Sequence, residues 1–393
     1  MKKVFLFSLF LVLGLVLSQC LPVWLGEAFL TAEKVAKTLM FVCLAFIMIN
    51  VGREFELDKT KWRSYAADYF IAMATAAVPW IMVAFYYMFL LPADLFGNWD
   101  AWKENLLLSR FAAPTSAGIL FTMLAAAGLR REWIYKKTQA LAIFDDLDTI
   151  LLMIPLQIFM IGFKWQLFAV VIVITFLLVI GWKKLGTIRL SQTWKSILFY
   201  AVCIVAVTES IYLLTKWMMG ADGAIHIEVL LPAFVLGMVM KTVHQHGNRD
   251  EKITGMISYL FMFLVGLSTP QFIGIDHGHR ITEAVGIIAA QPMPSWEVLI
   301  VHVIVVTLLS NLGKMFPLFF YRDRQLEERL ALSVGMFTRG EVGAGIIVIA
   351  MGYNLGGPAL IISVLSLVLN LLLTGGFVVI VKRLAQQAYG LKE

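Results

Sequence analysis

Charge is what this chain has least of. Asp, Glu, Lys and Arg make up 15% of its 393 residues against 60% in the apolar set, and mean hydropathy is +0.83. Soluble domains carry about 25% charge, so a fold surrounded by water is excluded. Cysteine is almost as scarce. Cys20, Cys43 and Cys203 all lie in apolar segments at no metal-type spacing, which reads as three small buried hydrophobes and excludes a disulfide framework. No Gly-rich phosphate loop, metal-ligand cluster or nucleophilic triad stands out, so neither an enzyme nor a resident cofactor is expected. No soluble regulatory domain is expected after Val381.

What the chain does have is long apolar runs. A hydrocarbon core of roughly 30 Å takes about 20 apolar residues of helix, and such runs recur from end to end. They predict an all-α polytopic membrane protein with twelve spans, near 4–24, 34–52, 68–92, 106–129, 138–162, 165–182, 195–219, 227–243, 253–274, 297–320, 330–352 and 357–381. The opening "MKKVFLFSLFLVLGLVLSQC" has the basic start and apolar middle of a secretory signal. Its apolar run continues to Trp24, however, and Gln19 is a poor neighbour for cleavage, so it reads as the first span.

Short cytoplasmic loops carry excess Lys and Arg. With the N-terminus inside, 23 of the 32 basic residues fall on the inner side, and Lys34, Lys37, Lys103, Arg110, Lys164, Lys216 and Arg280 on the outer. Both termini are therefore expected in the cytoplasm, in a cell membrane that fits a bacterial inner membrane. The net charge of +6 is a topology signal and implies no nucleic acid.

Two bases, Lys314 and Arg339, fall inside spans, as do five acids: Asp145, Asp146, Asp148, Glu209 and Glu341. A charge at the bilayer centre costs about 2.5–3.5 kcal/mol on insertion scales, so such groups face a cavity or a partner. A polar pathway is the favoured reading over ion pairs that merely fasten helices, because buried pairs are seldom net stabilisers. Glu209 reads as a hydrogen-bond partner between helices. His244, His246, His277 and His279 read as solvated loop residues, and His302 as packed near the outer end of its span.

Two spans carry breakers. The fourth contains "SRFAAPTSAGIL", in which Pro114 removes a backbone donor beside the hydroxyls of Thr115 and Ser116. The eleventh contains "GMFTRGEVGAGI", with Gly335, Gly340, Gly343 and Gly345. Breakers in corresponding spans of two halves point to discontinuous helices at a transporter's midplane; close packing through small residues is the alternative. "SAGILFTML" (Ser116–Leu124) is similar to "GAGIIVIAM" (Gly343–Met351), in spans of opposite direction. That suits an inverted repeat of spans three to five against ten to twelve.

Hard monovalent cations take oxygen ligands, and a carboxylate with hydroxyls and freed carbonyls supplies them where helices unwind. A buried carboxylate of this kind holds a proton or a cation in competition, which suffices for exchange if the site faces each side in turn. Along "AIFDDLDTILL", Asp145 and Asp148 share a helix face, and Asp146 is turned about 100° from Asp145.

The chain resembles the monovalent cation:proton antiporter superfamily, in particular its NhaA/NapA-type sodium/proton antiporters. The resemblance rests on "LAIFDDLDTILL" and "GMFTRGEVGAGIIVIA", and more weakly on "MINVGREFELDKTKW", "LPAFVLGMVM" and "LFMFLVGLST". It implies an inverted repeat with discontinuous crossing helices. It also implies that Asp146 is the main cation and proton carboxylate and that Asp145 pairs with Lys314 and yields that pairing to an ion or proton. Thr115 and Ser116 offer polar ligands, although some members carry an aspartate where Ser116 stands. Arg339 and Glu341 support the broken helix. Asp148, often small or apolar in relatives, is either a second partner of Lys314 or a protonated spectator.

The resemblance further implies Na⁺ or Li⁺ exchanged for H⁺, electrogenically, by an elevator-like movement in a homodimer. Residues 1–66 and 195–275 would form the scaffold, 67–163 and 296–383 the ion-transport core, and 164–194 the link. A K⁺/H⁺ antiporter of the same fold is the alternative, followed by a cation channel or ion sensor. The expected partners are monovalent cations, protons, lipid and a second copy.

Overall fold

The computed structural model describes residues 2–26, 28–54, 62–161, 166–184, 186–219, 229–240, 248–268, 286–288, 290–353 and 355–390. Among these there is no strand, only an isolated bridge between Ile188 and Met240. His244, His246, His277 and His279 lie outside the described residues.

The helices are α1 (Lys2–Leu25), α2 (Ala28–Glu54), α3 (Trp62–Phe89), α4 (Trp99–Ser109), α5 (Ala117–Ala126), α6 (Trp133–Ile161) and α7 (Gln166–Lys183), followed by α8 (Trp194–Met219), α9 (Leu230–Val239), α10 (Asn248–Leu267), α11 (Trp296–Gly313), α12 (Leu326–Gly335), α13 (Glu341–Gly352) and α14 (Gly357–Tyr389). Among the described residues the twelve predicted spans appear as fourteen helices, the fourth (α4/α5) and the eleventh (α12/α13) each being divided. Among the described residues, seven stretches are long and apolar enough to cross a membrane. α6 is not among them, because its three aspartates exceed the charge such a stretch carries.

Local chemistry sets the helix ends. Asn98 caps α4 by accepting from the N–H groups of Asp100 at 2.8 Å and Ala101 at 3.4 Å, so the fourth span begins about two turns before the sequence pattern suggests. α14 opens on Gly357 and Pro358, where proline's missing N–H costs nothing, and closes on Gly390 in the left-handed region.

The chain divides into two compact units. One comprises residues 25–62 and 161–264. Within it α2 and α9 touch backbone to backbone at Gly52 and Gly237. A methyl on Gly52 would run into the carbonyl of Phe234, and one on Gly237 into that of Ile49, so only glycine allows the contact. Arg53 is held there by Asn50 at 3.0 Å and Gln192 at 2.8 Å. Glu209 is half-buried on α8 of this unit. Cys203 is exposed on the same helix, whereas Cys43 is buried and Cys20 half-buried, so the expectation of three buried thiols holds fully for Cys43 alone.

The other unit comprises residues 1–24, 63–160 and 265–393. It contains two helix sets of the same form, α3, α4/α5, α6 and α11, α12/α13, α14, each with its middle member broken. The outer members of the second set run parallel. Thr307 meets Ser366 at 2.9 Å and Asn311 donates to Asn370 at 3.0 Å, both at a separation of 59 residues. Gly313 gives α11 its approach to α3, since a Cβ there would lie 2.5 Å from the Cα of Pro79.

At the N-terminal ends of α3 and α6, the buried Asp68 takes both carboxylate oxygens to Lys137 Nζ, at 3.0 and 2.8 Å, and accepts from the Tyr321 hydroxyl at 2.7 Å. Tyr321 sits at φ 53°, unfavourable for a bulky residue. Three contacts hold it: the Asp68 bond, Lys137 over its ring at 5.0 Å, and the edge of Trp133 at 5.6 Å.

Candidate functional site

Two extended stretches, 114–116 and 338–340, interrupt the broken spans and lie against each other. The Ser116 N–H donates to the Thr338 carbonyl at 3.0 Å, and the Thr115 hydroxyl donates to the Met336 carbonyl at 3.1 Å. Each break therefore satisfies backbone groups that the other leaves without helical partners. Ser116 also caps α5, its Oγ accepting from Ile119 N–H at 3.4 Å. Gly340 makes the approach possible, because a Cβ there would stand 2.7 Å from Ile119 Cδ1 and 2.8 Å from Ser116 Oγ.

α6 passes this crossing with its three aspartates. All are buried, at 0% exposure for Asp145, 4% for Asp146 and 2% for Asp148. Oδ2 of Asp145 accepts from Lys314 Nζ at 2.9 Å and from Thr115 N–H at 2.7 Å. The ammonium neutralises the carboxylate, and the peptide N–H near the start of α5 adds a donor at the positive end of a helix. Oδ1 of Asp145 has no hydrogen-bond partner among the described residues. Asp146, the next residue, is turned away from that pair, and Lys314 also acts on it electrostatically.

Of the residues expected from sequence, the structure thus brings together Asp145, Asp146, Thr115, Ser116 and Lys314. Arg339 is fully buried and ties the second break to α11, donating to the Met336 carbonyl at 3.2 Å and the Ser310 carbonyl at 3.2 Å. Glu341 opens α13; its side chain is outside those described. Asp148 meets a neighbour that the sequence reading did not consider: the Tyr69 hydroxyl from α3 is hydrogen-bonded to it. Glu209 belongs to the other unit. His302 is half-buried and bonds through Nδ1 to the Tyr86 hydroxyl at 2.7 Å.

One basic residue is not where the sequence pattern puts it. Arg110, counted above among outer loop residues, is completely buried in the short 3-10 turn Arg110–Ala112 just before the first break. Its Nη2 donates to the Asp148 carbonyl at 3.1 Å, and its guanidinium lies 4.5 Å from the centre of the Trp80 ring. Three bases, not two, are therefore buried at the crossing. The outer count falls to six, which sharpens the topological bias. No window around residue 110 marks this; the arginine is carried inward with the break four residues on, at Pro114.

The arrangement offers carboxylate, hydroxyl and carbonyl oxygens around buried, partly compensated charge, a set suited to a hard cation in competition with a proton. The family model described as sodium/hydrogen exchanger, transmembrane, matches residues 2–385. No curated protein sequence matches the chain. Among solved structures, the chain is similar to the sodium proton antiporter MjNhaP1 from Methanocaldococcus jannaschii at pH 8. The TM-score is 0.58 at 14% identity, covering 98% of this chain and 92% of that one.

Proposed function

Since this chain belongs to the sodium/hydrogen exchanger family, a family of cation/proton transporters and not of enzymes, we propose that it moves Na⁺ or Li⁺ across a cell membrane against protons, electrogenically, with both species competing for Asp146. The observation that carries this reading is the fully buried pair of Lys314 and Asp145, 2.9 Å apart and one residue from Asp146 at the crossing of two broken helices.

In the proposed cycle a cation displaces the proton from Asp146. It draws further oxygen ligands from Asp145, Thr115, Ser116 and the carbonyls freed at the breaks. When Asp145 turns to the ion, Lys314 loses its partner and releases a proton; when the ion leaves, both protons return. Arg339 and Glu341 keep the second break in shape. The helices α3–α6 and α11–α14 carry the ion, and residues 1–66 and 195–275 act as scaffold in a homodimer with both termini in the cytoplasm.

The test is cation-dependent dequenching of a pH dye in proteoliposomes, compared across Li⁺, Na⁺ and K⁺. Responses to Na⁺ and Li⁺ at millimolar concentration with none to K⁺ are expected. A response to K⁺ alone would replace the substrate, and unitary currents in a planar bilayer would replace the exchanger with a channel.

A further inference from the structure

We propose that Arg110 is the counter-charge of Asp148, so that the third aspartate is an electrically balanced fixture of the site and not a ligand of the transported cation. The inference rests on the exchanger reading above.

Among the described side chains at the crossing, charge comes in equal numbers. Asp145, Asp146 and Asp148 face Lys314, Arg339 and Arg110, every one of them buried to 4% exposure or less. Lys314 is committed to Asp145 by its ion pair, and Arg339 to the carbonyls of Met336 and Ser310. Arg110 acts electrostatically on both Asp145 and Asp148, and its one hydrogen bond to this cluster goes to Asp148. It is anchored to that residue's own carbonyl and stacked on Trp80, so its position is fixed relative to the aspartate.

The polar inventory points the same way. Nε and Nη1 of Arg110 have no hydrogen-bond partner among the described residues, and neither does Oδ2 of Asp148. The two charged groups make no direct ion pair among the described residues, and buried polar atoms left unmatched in this way call for a bridging water between them. The groups facing Asp148 are Tyr69 from α3, Asp145 from its own helix, Arg110 from the turn before the break, and Lys314 from the end of α11. Tyr69 gives Asp148 a donor, and Arg110 gives it a cation that also acts on Asp145. An aspartate alone would have made the site more negative than a two-aspartate arrangement; with Arg110 the sum is restored. Loss of either member should therefore damage function in opposite directions, and loss of both should damage it least.

The experiment uses the full chain in proteoliposomes with R110Q, D148N, the double variant and R110K. Removing the cation leaves an excess negative charge that holds protons and Na⁺ more tightly. R110Q should move the pH profile to the alkaline side and lower the half-maximal Na⁺ concentration. D148N should move the profile to the acid side and raise that concentration. Each change should be about tenfold, the scale for one charge several ångströms away in a partly polar interior. The double variant should return to within about threefold of wild type, and R110K should stay near it. Shifts of the same sign, or a double variant worse than either single one, would overturn the pairing. So would loss of cation response in both variants that lack Asp148.

Thermal melting of the same four proteins keeps the test independent of the transported ion. Both single variants should melt below the double variant. If wild type shows no exchange, the functional reading fails, while the order of melting temperatures still decides for or against the charge pair.

Discussion

Lys314 Nζ lies 2.9 Å from Asp145 Oδ2 although the residues are 169 positions apart. Each belongs to a different helix set: Asp145 to the set with the proline break, Lys314 to the set with the glycine break. The same Asp145 oxygen accepts from Thr115 N–H, so one buried atom joins α6, α11 and the start of α5. A buried pair rarely adds net stability, but removing one partner costs about 3–5 kcal/mol because the other charge stays behind. The pair therefore acts as a two-position device: whatever draws Asp145 away must deal with the ammonium.

The roles of the aspartates follow from their places around α6. Asp146→Asn is expected to abolish cation-dependent proton flux, because no other described carboxylate occupies that face at the crossing. Asp148→Asn should leave flux measurable with a shifted pH profile. Dye dequenching in proteoliposomes separates the two; retained flux in Asp146→Asn with complete loss in Asp148→Asn would reverse the assignment.

Gly340→Ala tests the crossing itself. Its new methyl would press on Ile119 Cδ1 and Ser116 Oγ, and overpacking of this kind costs about 1–3 kcal/mol. A lower melting temperature together with weaker exchange is expected. At Gly345, where nothing lies within 4 Å of an added Cβ, alanine should change neither. Equal effects at both positions would mean that the breaks do not rely on that contact.

Tyr321→Phe tests the cluster at the ends of α3 and α6. Burial and the charge of Asp68 both raise the Tyr321 phenol above its ordinary pKa. Its protonated form therefore contributes stability that is complete below the unfolded value near 10 and lost as pH rises through the folded value. The hydroxyl donates to a buried carboxylate, so its removal should cost about 1.5–3 kcal/mol. That difference should stay constant from pH 6 to 9 in melting experiments. A difference that vanishes by pH 9 would mean the phenol ionises early and the bond to Asp68 is not the source.

The spans, the breaks and the acid cluster were legible in the sequence because each depends on local chemistry: apolar run length, a proline or glycine in mid-span, charge in an apolar helix. Lys314 stood out for the same reason. Arg110, Tyr69 and Trp80 did not. Arg110 is buried because the first break carries the end of α4 inward, and that depth is a property of the crossing and not of any window around residue 110. Tyr69 reaches Asp148 through the packing of α3 on α6, marked by the edge contact of Tyr69 with Phe144 at 5.6 Å. An aromatic in an apolar span gives no hint of such a partner. The polar ladder of Thr307, Asn311, Ser366 and Asn370 was hidden likewise, since its members acquire meaning only as pairs.

Topology is open to direct labelling. With both termini in the cytoplasm, the stretch from Arg130 to Lys137 faces the same side. In a background lacking Cys20, Cys43 and Cys203, a cysteine at Arg131 should resist a membrane-impermeant maleimide applied to intact cells, while one at Asn98 should react. Arg131 is exposed in the structure, so protection there reports sidedness and not burial. Equal labelling at the two positions would invert or discard the orientation.

Exchange should move net charge, and Lys314 is the reason. If its proton is released when Asp145 turns to the cation, two protons return for each monovalent ion carried outward, and the cycle feels the membrane potential. One charge crossing about 100 mV is worth roughly 2.3 kcal/mol, enough for an inside-negative potential to drive Na⁺ out of vesicles that start without a pH gradient. Lys314→Gln should remove that dependence while Asp146 continues to exchange Na⁺ for a single proton. The loss of a buried partner makes this variant less stable, so its folding is checked by size exclusion before flux is compared. The measurement is Na⁺-coupled proton flux with the potential set by valinomycin and K⁺, once K⁺ is shown not to be transported. Identical rates and end points at zero and strongly negative potential in the wild type would leave a one-for-one exchanger, with the lysine as a fixed counter-charge.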